Sequence, residues 1–211
     1  MGEIESLVEG YRVFYQKYFL SGDTLFRELT RTGQSPKTMI IACSDSRVDP
    51  SIIMNSEPGD IFVVRNVANL VPPFEADESG LHGVSAALEF SVRILEVKNI
   101  LVLGDSDCAG IHALMHDEVI QNTDFIGKWM SVAKAAAEKT RANNPDLDDL
   151  QLQHTCEKES VLLSLGNILT FPWIKSRVEN GEIKLHGWYF SMEQGHLLEF
   201  NPEKGDFDNI V

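Results

Sequence analysis

The sequence TMIIACSDSR, residues 38–47, joins a short apolar run to a polar turn. Its first five residues, 38–42, are typical of a buried strand, and two similar runs follow at 61–64 and 100–103. Between the last two, Gly83–Leu95 carries apolar residues at helical spacing. Strands that alternate with helices predict an α/β fold, in which helices flank a parallel sheet.

Polar residues follow two of these strands closely. Cys43 comes directly after the first predicted strand, and Cys108 comes shortly after the third. Ligands of parallel sheets bind beyond the carboxyl ends of the strands, so both thiols are expected at the site. Asp45 and Arg47 follow Cys43, and a nearby guanidinium favours both a thiolate and a carboxylate. Taken alone, this segment fits a buried thiol beside a surface ion pair equally well.

The second polar segment runs from Leu103 to Ile111 and contains Asp105 and Cys108. Their three-residue spacing allows both side chains to converge on one ion. Two thiolates from different loops suit Zn²⁺. This segment alone is a weak signal, because loops with Asp, Ser and Gly are common.

The N-terminal residues predict a helical arm that precedes the main domain. Residues 4–19 carry many aromatic side chains at helical spacing, and a second helix is predicted over Thr24–Thr32. The first helix faces either its own core or a second subunit. We predict an N-terminal helical arm over residues 1–33 and one α/β domain over residues 34–211.

The second half of that domain predicts helices followed by a hairpin. Residues 124–144 are rich in Ala, Lys and Glu and predict one exposed helix, and a further helix is predicted over Asp148–Leu165. Alternation within Ile183–Met192, followed by Leu197–Phe200, predicts a hairpin that adds an antiparallel edge strand.

Composition excludes some classes of partner. The chain has 32 acidic and 18 basic residues, a formal charge of −14, so we expect no binding to nucleic acid or to anionic membranes. We find no signal-peptide pattern and no apolar run near the roughly 18 residues of a membrane span. The odd set of three cysteines, which includes Cys156, suits a reducing compartment, so we expect a cytoplasmic protein.

Four blocks together resemble the β-class carbonic anhydrases. They are GQSPKTMIIACSDSRV, EPGDIFVVRNVANLVPP, HGVSAALEFSV and the NILVLG-x-SDC-x-GI segment, in the family's order, and the resemblance runs from about Gln34 to Phe200. It implies a zinc lyase that reversibly hydrates carbon dioxide to bicarbonate. It also implies a parallel core of four strands with a fifth, edge strand, an arm wrapped round a partner, and homodimers that often pair into tetramers.

The same resemblance assigns roles to residues. Cys43 and Cys108 are implied as zinc ligands, and Asp45 and Arg47 as the pair that orders the active site. The substrate-binding positions that it implies are Gln34 for a substrate oxygen, Phe62, Val67 and Phe90 as apolar walls, and Ala109 and Gly110 as backbone on the substrate side.

Two positions depart from the family pattern. Asp105 stands where the family has a zinc-binding His, and Ala109 where it usually has Gly. A carboxylate is an acceptable zinc ligand but is shorter than an imidazole. Either the metal lies closer to Asp105, a water fills the gap, or the site binds metal weakly. Two thiolates and a carboxylate would also leave a zinc site at −1, which predicts slower hydration near neutral pH.

Three functions stay open on the sequence. The first is hydration of carbon dioxide, weakened by Asp105. The second is hydrolysis of carbon disulfide or carbonyl sulfide on the same scaffold, and the third is a metal-poor paralogue that serves only in binding or assembly. Metal content separates the third from the others, and product analysis separates the first two.

Overall fold

A mixed β-sheet forms the centre of the protein. The structure is a computed structural model that describes residues 2–75, 82–116 and 123–211. In these residues the sheet has the strand order β2-β1-β3-β4-β5-β6. The strands are β1 Thr38–Cys43, β2 Ile61–Asn66, β3 Asn99–Asp105, β4 Lys184–Ser191, β5 His196–Asn201 and β6 Asp206–Asn209.

The pairing directions confirm the predicted α/β fold. Strands β1 to β4 are parallel to one another, whereas β5 pairs with β4, and β6 with β5, in antiparallel fashion. The sequence predicted only one antiparallel edge strand, so β6 corrects that prediction. Its sequence, DFDN, is short and polar, and it becomes a strand because it pairs with β5 through contacts such as Phe207 with Phe200.

Helices connect the strands and cover both faces of the sheet. None of the helices in the described ranges is long and apolar enough to cross a membrane. The helices are α1 Glu3–Tyr15 with a π-helical continuation Gln16–Leu20, α2 Leu25–Thr32, α3 Pro50–Ile53, α4 Gly83–Glu89 with a π-helical continuation Phe90–Ile94, α5 Ala109–Met115, α6 Ile126–Met130, α7 Lys134–Asn143, α8 Asp149–Ile168 and α9 Pro172–Glu179.

The predicted single helix over residues 124–144 is wrong in two respects. A short 3₁₀ turn, Ser131–Ala133, separates α6 from α7. The hydroxyl of Ser131 donates to the carbonyl of Lys128 at 2.7 Å, and such a bond competes with the regular helical pattern. The segment is also not simply exposed, because α7 buries Ala136, Ala137 and Thr140.

The core lies on both faces of the sheet. Alternate residues of β1 point to opposite sides, so Met39 and Ile41 pack with α4 and α8 while Ile40 and Ala42 pack on the other face. This two-sided burial explains the continuous apolar run that predicted the strand.

Two glycines allow α8 to lie unusually close to the sheet. A Cβ atom at Gly104 of β3 would lie 2.5 Å from Cγ2 of Val161, and one at Gly187 of β4 would lie 2.9 Å from Cδ1 of Leu165. Both contacts are shorter than packed carbon atoms allow. The absence of side chains at these two glycines therefore sets the position of α8 over β3 and β4.

The N-terminal arm leaves most of its apolar surface exposed. Helix α1 buries none of its residues, so it does not face the core of its own chain. The arm is attached farther along, where buried Tyr18 donates its hydroxyl to Oε2 of Glu57 at 2.6 Å and its ring packs edge-on against Phe26. Exposed apolar side chains of α1 are Ile4, Leu7, Val8, Tyr11, Val13 and Tyr15.

Candidate metal centre

Three potential metal ligands meet beyond the carboxyl ends of β1 and β3. Cys43 ends β1, Asp105 ends β3, and Cys108 immediately precedes α5. Their ligand atoms all lie within 4.8 Å of one another, and the two sulfur atoms are 3.8 Å apart. All three residues are at least 96% buried. Among the residues that the structure describes, no other group of three acidic, thiol or imidazole side chains has that geometry.

Tight loops bring the three residues together. Asp107 has a φ of 57°, which turns the chain sharply between Asp105 and Cys108. Gly110 then lets the loop after β2 approach closely, because a Cβ atom there would lie 2.8 Å from Cγ1 of Val67. Gly110 is thus required by close packing at the site, whereas neighbouring Ala109 is exposed.

The donor set fits a zinc ion. Two sulfur ligands at about 2.3 Å from a tetrahedral zinc are about 3.8 Å apart, and this is the separation of Cys43 and Cys108. Both carboxylate oxygens of Asp105 are buried and have no hydrogen-bond partner among the described residues. A buried polar group without a partner is costly, and a cation would supply one here.

Burial and mutual repulsion shift the pKa values of these groups. One sulfur of the cysteine pair donates to the other, which lowers the pKa of Cys43 to about 6 and raises the pKa of Cys108. Burial raises the pKa of Asp105 to about 9, and the charges of Cys43 and Glu157 add to the effect. Without a cation, the cluster therefore holds fewer negative charges than the three that full ionisation of its side chains would give.

Asp45 and Arg47 form the predicted pair beside the cluster. Arg47 donates from Nε and Nη2 to the two carboxylate oxygens of Asp45, at 2.9 and 2.8 Å. This bidentate contact lowers the pKa of Asp45 to about 2, so Asp45 is ionised at any physiological pH. Arg47 also reaches the carbonyl of Asp107 at 3.3 Å, which ties the first loop to the second.

Replacing Arg47 with alanine is expected to lower the carbon dioxide hydration that the family resemblance implies by about 10–100-fold while zinc content stays unchanged, because Asp45 loses the contact that orients it. Arg47→Lys should recover only part of the loss, since an ammonium group cannot make the bidentate contact. Hydration rates and zinc content are measured together, with Arg31→Ala on the exposed side of α2 as the control. An Arg47→Ala protein as active as the unaltered one would contradict the role of the pair.

Sequence reasoning missed two charged residues that build the site. Arg65 donates to the carbonyls of Cys43 and Asp45 at 2.9 and 2.7 Å and so holds the first loop. Glu157 of α8 accepts a hydrogen bond from the backbone nitrogen of Cys108 at 2.9 Å. A charged residue directly after the apolar run 61–64 was an available signal for Arg65, whereas nothing in the helical pattern marked Glu157.

The structure brings only some of the expected substrate residues to the cluster. Val67 directly follows β2, and Ala109 and Gly110 begin α5 immediately after Cys108. Phe62 of β2 pairs with Met39 of β1, at the start of both strands. Met39 is four residues before Cys43, so Phe62 lies about 13 Å from Cys43 along the strand direction. Phe90 stacks on Phe62 with the ring centres 5.8 Å apart and is 43% exposed.

Gln34 is also exposed, in the segment before β1. Within one chain, Gln34 and the Phe62–Phe90 pair therefore do not join the group around the metal centre.

The model of the carbonic anhydrase family matches residues 38–197, a range that includes all three clustered residues. The chain belongs to the carbonic anhydrase family. Two of the similar curated proteins are named as β-class enzymes. "Beta carbonic anhydrase 5, chloroplastic" of Arabidopsis thaliana is 49% identical over 160 residues, which are 75% of this chain and 52% of that protein. The carbonic anhydrase of Synechocystis sp. is 35% identical over 205 residues, 97% of this chain and 73% of that protein.

The chain spans about half the length of its Arabidopsis relatives, the second of which, "Beta carbonic anhydrase 6, mitochondrial", is covered over 56%. Solved structures agree with the β-class assignment. The β-carbonic anhydrase CcaA superimposes with a TM-score of 0.92 at 33% identity, and the match covers 99% of this chain and 100% of that one. Tetrameric β-carbonic anhydrases from Sordaria macrospora give a TM-score of 0.76 at 25% identity, with 93% of each chain covered.

Zinc is the cofactor of β-class carbonic anhydrases, and the cluster described above has the chemistry to hold it.

Proposed function

We propose that this β-class carbonic anhydrase catalyses the zinc-dependent, reversible hydration of carbon dioxide to bicarbonate. The observation that carries the proposal is the buried cluster of Cys43, Asp105 and Cys108, in which the carboxylate has no hydrogen-bond partner among the described residues. A cluster with this donor set, in a chain of this family, favours the enzyme over a metal-poor paralogue.

The residues of the chain have distinct tasks in this proposal. Cys43, Asp105 and Cys108 would hold zinc, which when bound supplies a Lewis acid that lowers the pKa of a water molecule. Asp45 is ionised beside the cluster and its side chain is 14% exposed, so it can accept a hydrogen bond and orient a donor there. Arg47 keeps Asp45 in that position through two hydrogen bonds.

An apolar cavity beside the site suits a small uncharged substrate. It has a volume of about 730 Å³, and Asn66 and Val67 of the loop after β2 form part of its wall. Val84 and Trp129 line it farther out, and the indole nitrogen of Trp129 donates to the carbonyl of Val67 at 2.8 Å. Carbon dioxide is apolar, so it can occupy such a surface without the loss of hydrogen bonds that a bicarbonate ion would suffer.

We further propose that a second copy of the chain completes the substrate site. Strand β2 lies at the edge of the sheet, and the exposed ring of Phe90 stacks on Phe62 of that strand. Pairing of two chains along this side would bring Gln34, Phe62 and Phe90 of one chain towards the cluster of the other. Homodimers follow from this proposal, and the sedimentation test below shows whether the dimers pair into tetramers.

A single charge on the apolar face of α1 is expected to weaken dimerisation. Tyr11→Asp should raise the dimer dissociation constant at least about tenfold, because burial of the ring contributes to association and a carboxylate resists burial. Sedimentation velocity at several protein concentrations measures the change. The control is Ser6→Asp, which adds the same charge to the same helix outside the apolar set. A stable monomer of the unaltered chain at micromolar concentration would contradict the dimer itself.

The proposed function is tested on protein purified without chelator. Zinc is measured first, and the expected result is about one ion per chain. Stopped-flow hydration of carbon dioxide is measured next, together with product formation from carbon disulfide and carbonyl sulfide. Sulfide release without hydration of carbon dioxide would favour the hydrolase, and absence of zinc would favour the binding or assembly paralogue.

A reducing compartment is part of the proposal. Cys43, Cys108 and Cys156 are all free thiols, and two of them would serve the metal. We therefore propose a cytoplasmic location, which fractionation of cells that express the protein would test.

A further inference from the structure

We infer that Glu157 is a positioning residue for the metal ligand Cys108 and that it sets the zinc affinity of the site. This inference rests on the proposed function, because it assigns the task of a residue behind the same metal centre. Glu157 lies on α8 and is 2% exposed, so it touches neither solvent nor the open side of the cluster.

Three hydrogen bonds fix the Glu157 carboxylate. Its Oε1 accepts from the backbone nitrogen of Cys108 at 2.9 Å and from Nε2 of Gln153 at 3.0 Å. Its Oε2 accepts from the hydroxyl of Tyr189 at 2.8 Å. Donors from the residue that precedes α5, from α8 and from β4 thus hold the carboxylate in one orientation.

Cys108 needs an acceptor from outside its own helix. It lies at the start of α5, where the first backbone N–H groups have no partner within the helix. The side chain of Cys108 makes no capping hydrogen bond of its own, and Cys108 is 1% exposed, which leaves little access to water. Glu157 is the acceptor for this buried N–H group, so it holds the backbone that carries the Cys108 sulfur.

Packing alone does not explain an acid at this position. Burying a carboxylate behind two thiols and Asp105 is electrostatically unfavourable, and an apolar side chain would fill the same space. A carboxylate is favoured here because its oxygen is directed at the backbone of a metal ligand. Outer contacts of this kind typically hold ligands in place and strengthen metal binding.

The hydrogen-bond chain continues to the surface and fixes the orientation of Gln153. Since Nε2 of Gln153 donates to Glu157, its Oε1 faces His112 and accepts from Nδ1 of that ring at 2.9 Å. His112 is exposed and packs against His116. A hydrogen-bonded chain of His112, Gln153 and Glu157 therefore runs from the surface to the backbone nitrogen of Cys108.

The test compares variants that keep or remove the acceptor. Glu157→Leu removes it at similar volume and is expected to weaken zinc affinity about 10–100-fold. Glu157→Gln keeps an oxygen for the Cys108 nitrogen and can donate to the Tyr189 hydroxyl, so it should restore affinity close to that of the unaltered protein. Glu159→Leu, on the same helix but paired with Lys139 at the surface, is the control and should bind zinc normally.

Two measurements distinguish positioning from a general loss of structure. Zinc affinity is obtained by competition with a coloured chelator, and the sulfur-to-metal charge-transfer band of the cobalt-loaded protein reports the geometry at Cys108. Circular dichroism establishes that each variant is folded. If Glu157→Leu does not fold, Glu157→Met replaces it, because it keeps the length of the side chain without its oxygens.

The expected result is weaker zinc binding and an altered cobalt band for Glu157→Leu, with recovery of both in Glu157→Gln. A folded Glu157→Leu or Glu157→Met protein with unchanged affinity and spectrum would overturn the inference, while the proposed function would stand. Equal losses in the Leu and Gln variants would also overturn it, since charge rather than the acceptor would then matter. Absence of zinc from the unaltered protein would overturn the proposed function and this inference together.

Discussion

Replacing either Cys43 or Cys108 with serine is expected to remove stoichiometric zinc and to abolish carbon dioxide hydration. A serine hydroxyl stays protonated at neutral pH, whereas the thiolate is the form that binds zinc. Loss of a direct ligand should weaken zinc affinity by more than the roughly 100-fold that an outer contact can cost. Zinc is measured by elemental analysis after dialysis, and hydration by stopped flow.

The third buried cysteine provides the matched control. Cys156 lies in the same hydrophobic cluster but outside the group of potential ligands, so Cys156→Ala should retain about one zinc ion per chain. Thermal unfolding of the zinc-free proteins shows whether the serine variants are folded. Full zinc content in both serine variants would refute the proposed metal centre.

Replacing Asp105 with histidine is expected to raise hydration activity at pH 7 about tenfold. Two thiolates and a carboxylate leave a zinc site at −1, whereas two thiolates and a neutral imidazole leave it uncharged. The extra negative charge makes a water proton harder to remove, so activity of the unaltered protein should reach its half-maximum at higher pH. A shift of about one pH unit corresponds to the tenfold gain. Hydration is measured across pH with zinc content matched.

A second variant at the same position separates charge from ligation. Asp105→Asn removes the negative charge without supplying a good zinc ligand, so it should lower zinc content rather than raise activity. Ala109 limits the gain if its methyl group crowds the substrate, which Asp105→His combined with Ala109→Gly would reveal. Equal activity of the unaltered protein and the Asp105→His variant at pH 7 would show that the charge argument is wrong.

The main features of the fold could be predicted because the parallel strands are buried on both faces. Runs such as 38–42 and 100–103 are apolar throughout, and the residues that follow them must lie at one edge of the sheet. That reasoning places Cys43 and Cys108 near each other from the sequence alone. Strand β6 escaped prediction because its four residues gain their conformation from pairing with β5 and not from their own pattern.

Long-range contacts at the site could not be predicted in the same way. A helical pattern gives the buried face of α8 but not the atom that Glu157 reaches, since that depends on how closely the helix approaches the sheet. The family resemblance likewise assigned Phe62 and Phe90 to the substrate site, but it gave no distance between these side chains and the metal centre. In one chain, strand register places Phe62 about 13 Å from the level of Cys43.

The close approach of α8 to Gly104 and Gly187 makes the metal centre mechanically dependent on the hydrophobic core. Glu157 lies one helical turn before Val161, the residue that occupies the space above Gly104. Any side chain added to either glycine would push the helix outwards and carry the acceptor of the Cys108 nitrogen with it. The interior packing and the ligand geometry of this protein therefore cannot drift independently during evolution. A substitution in the apolar core can act as a mutation of the metal site.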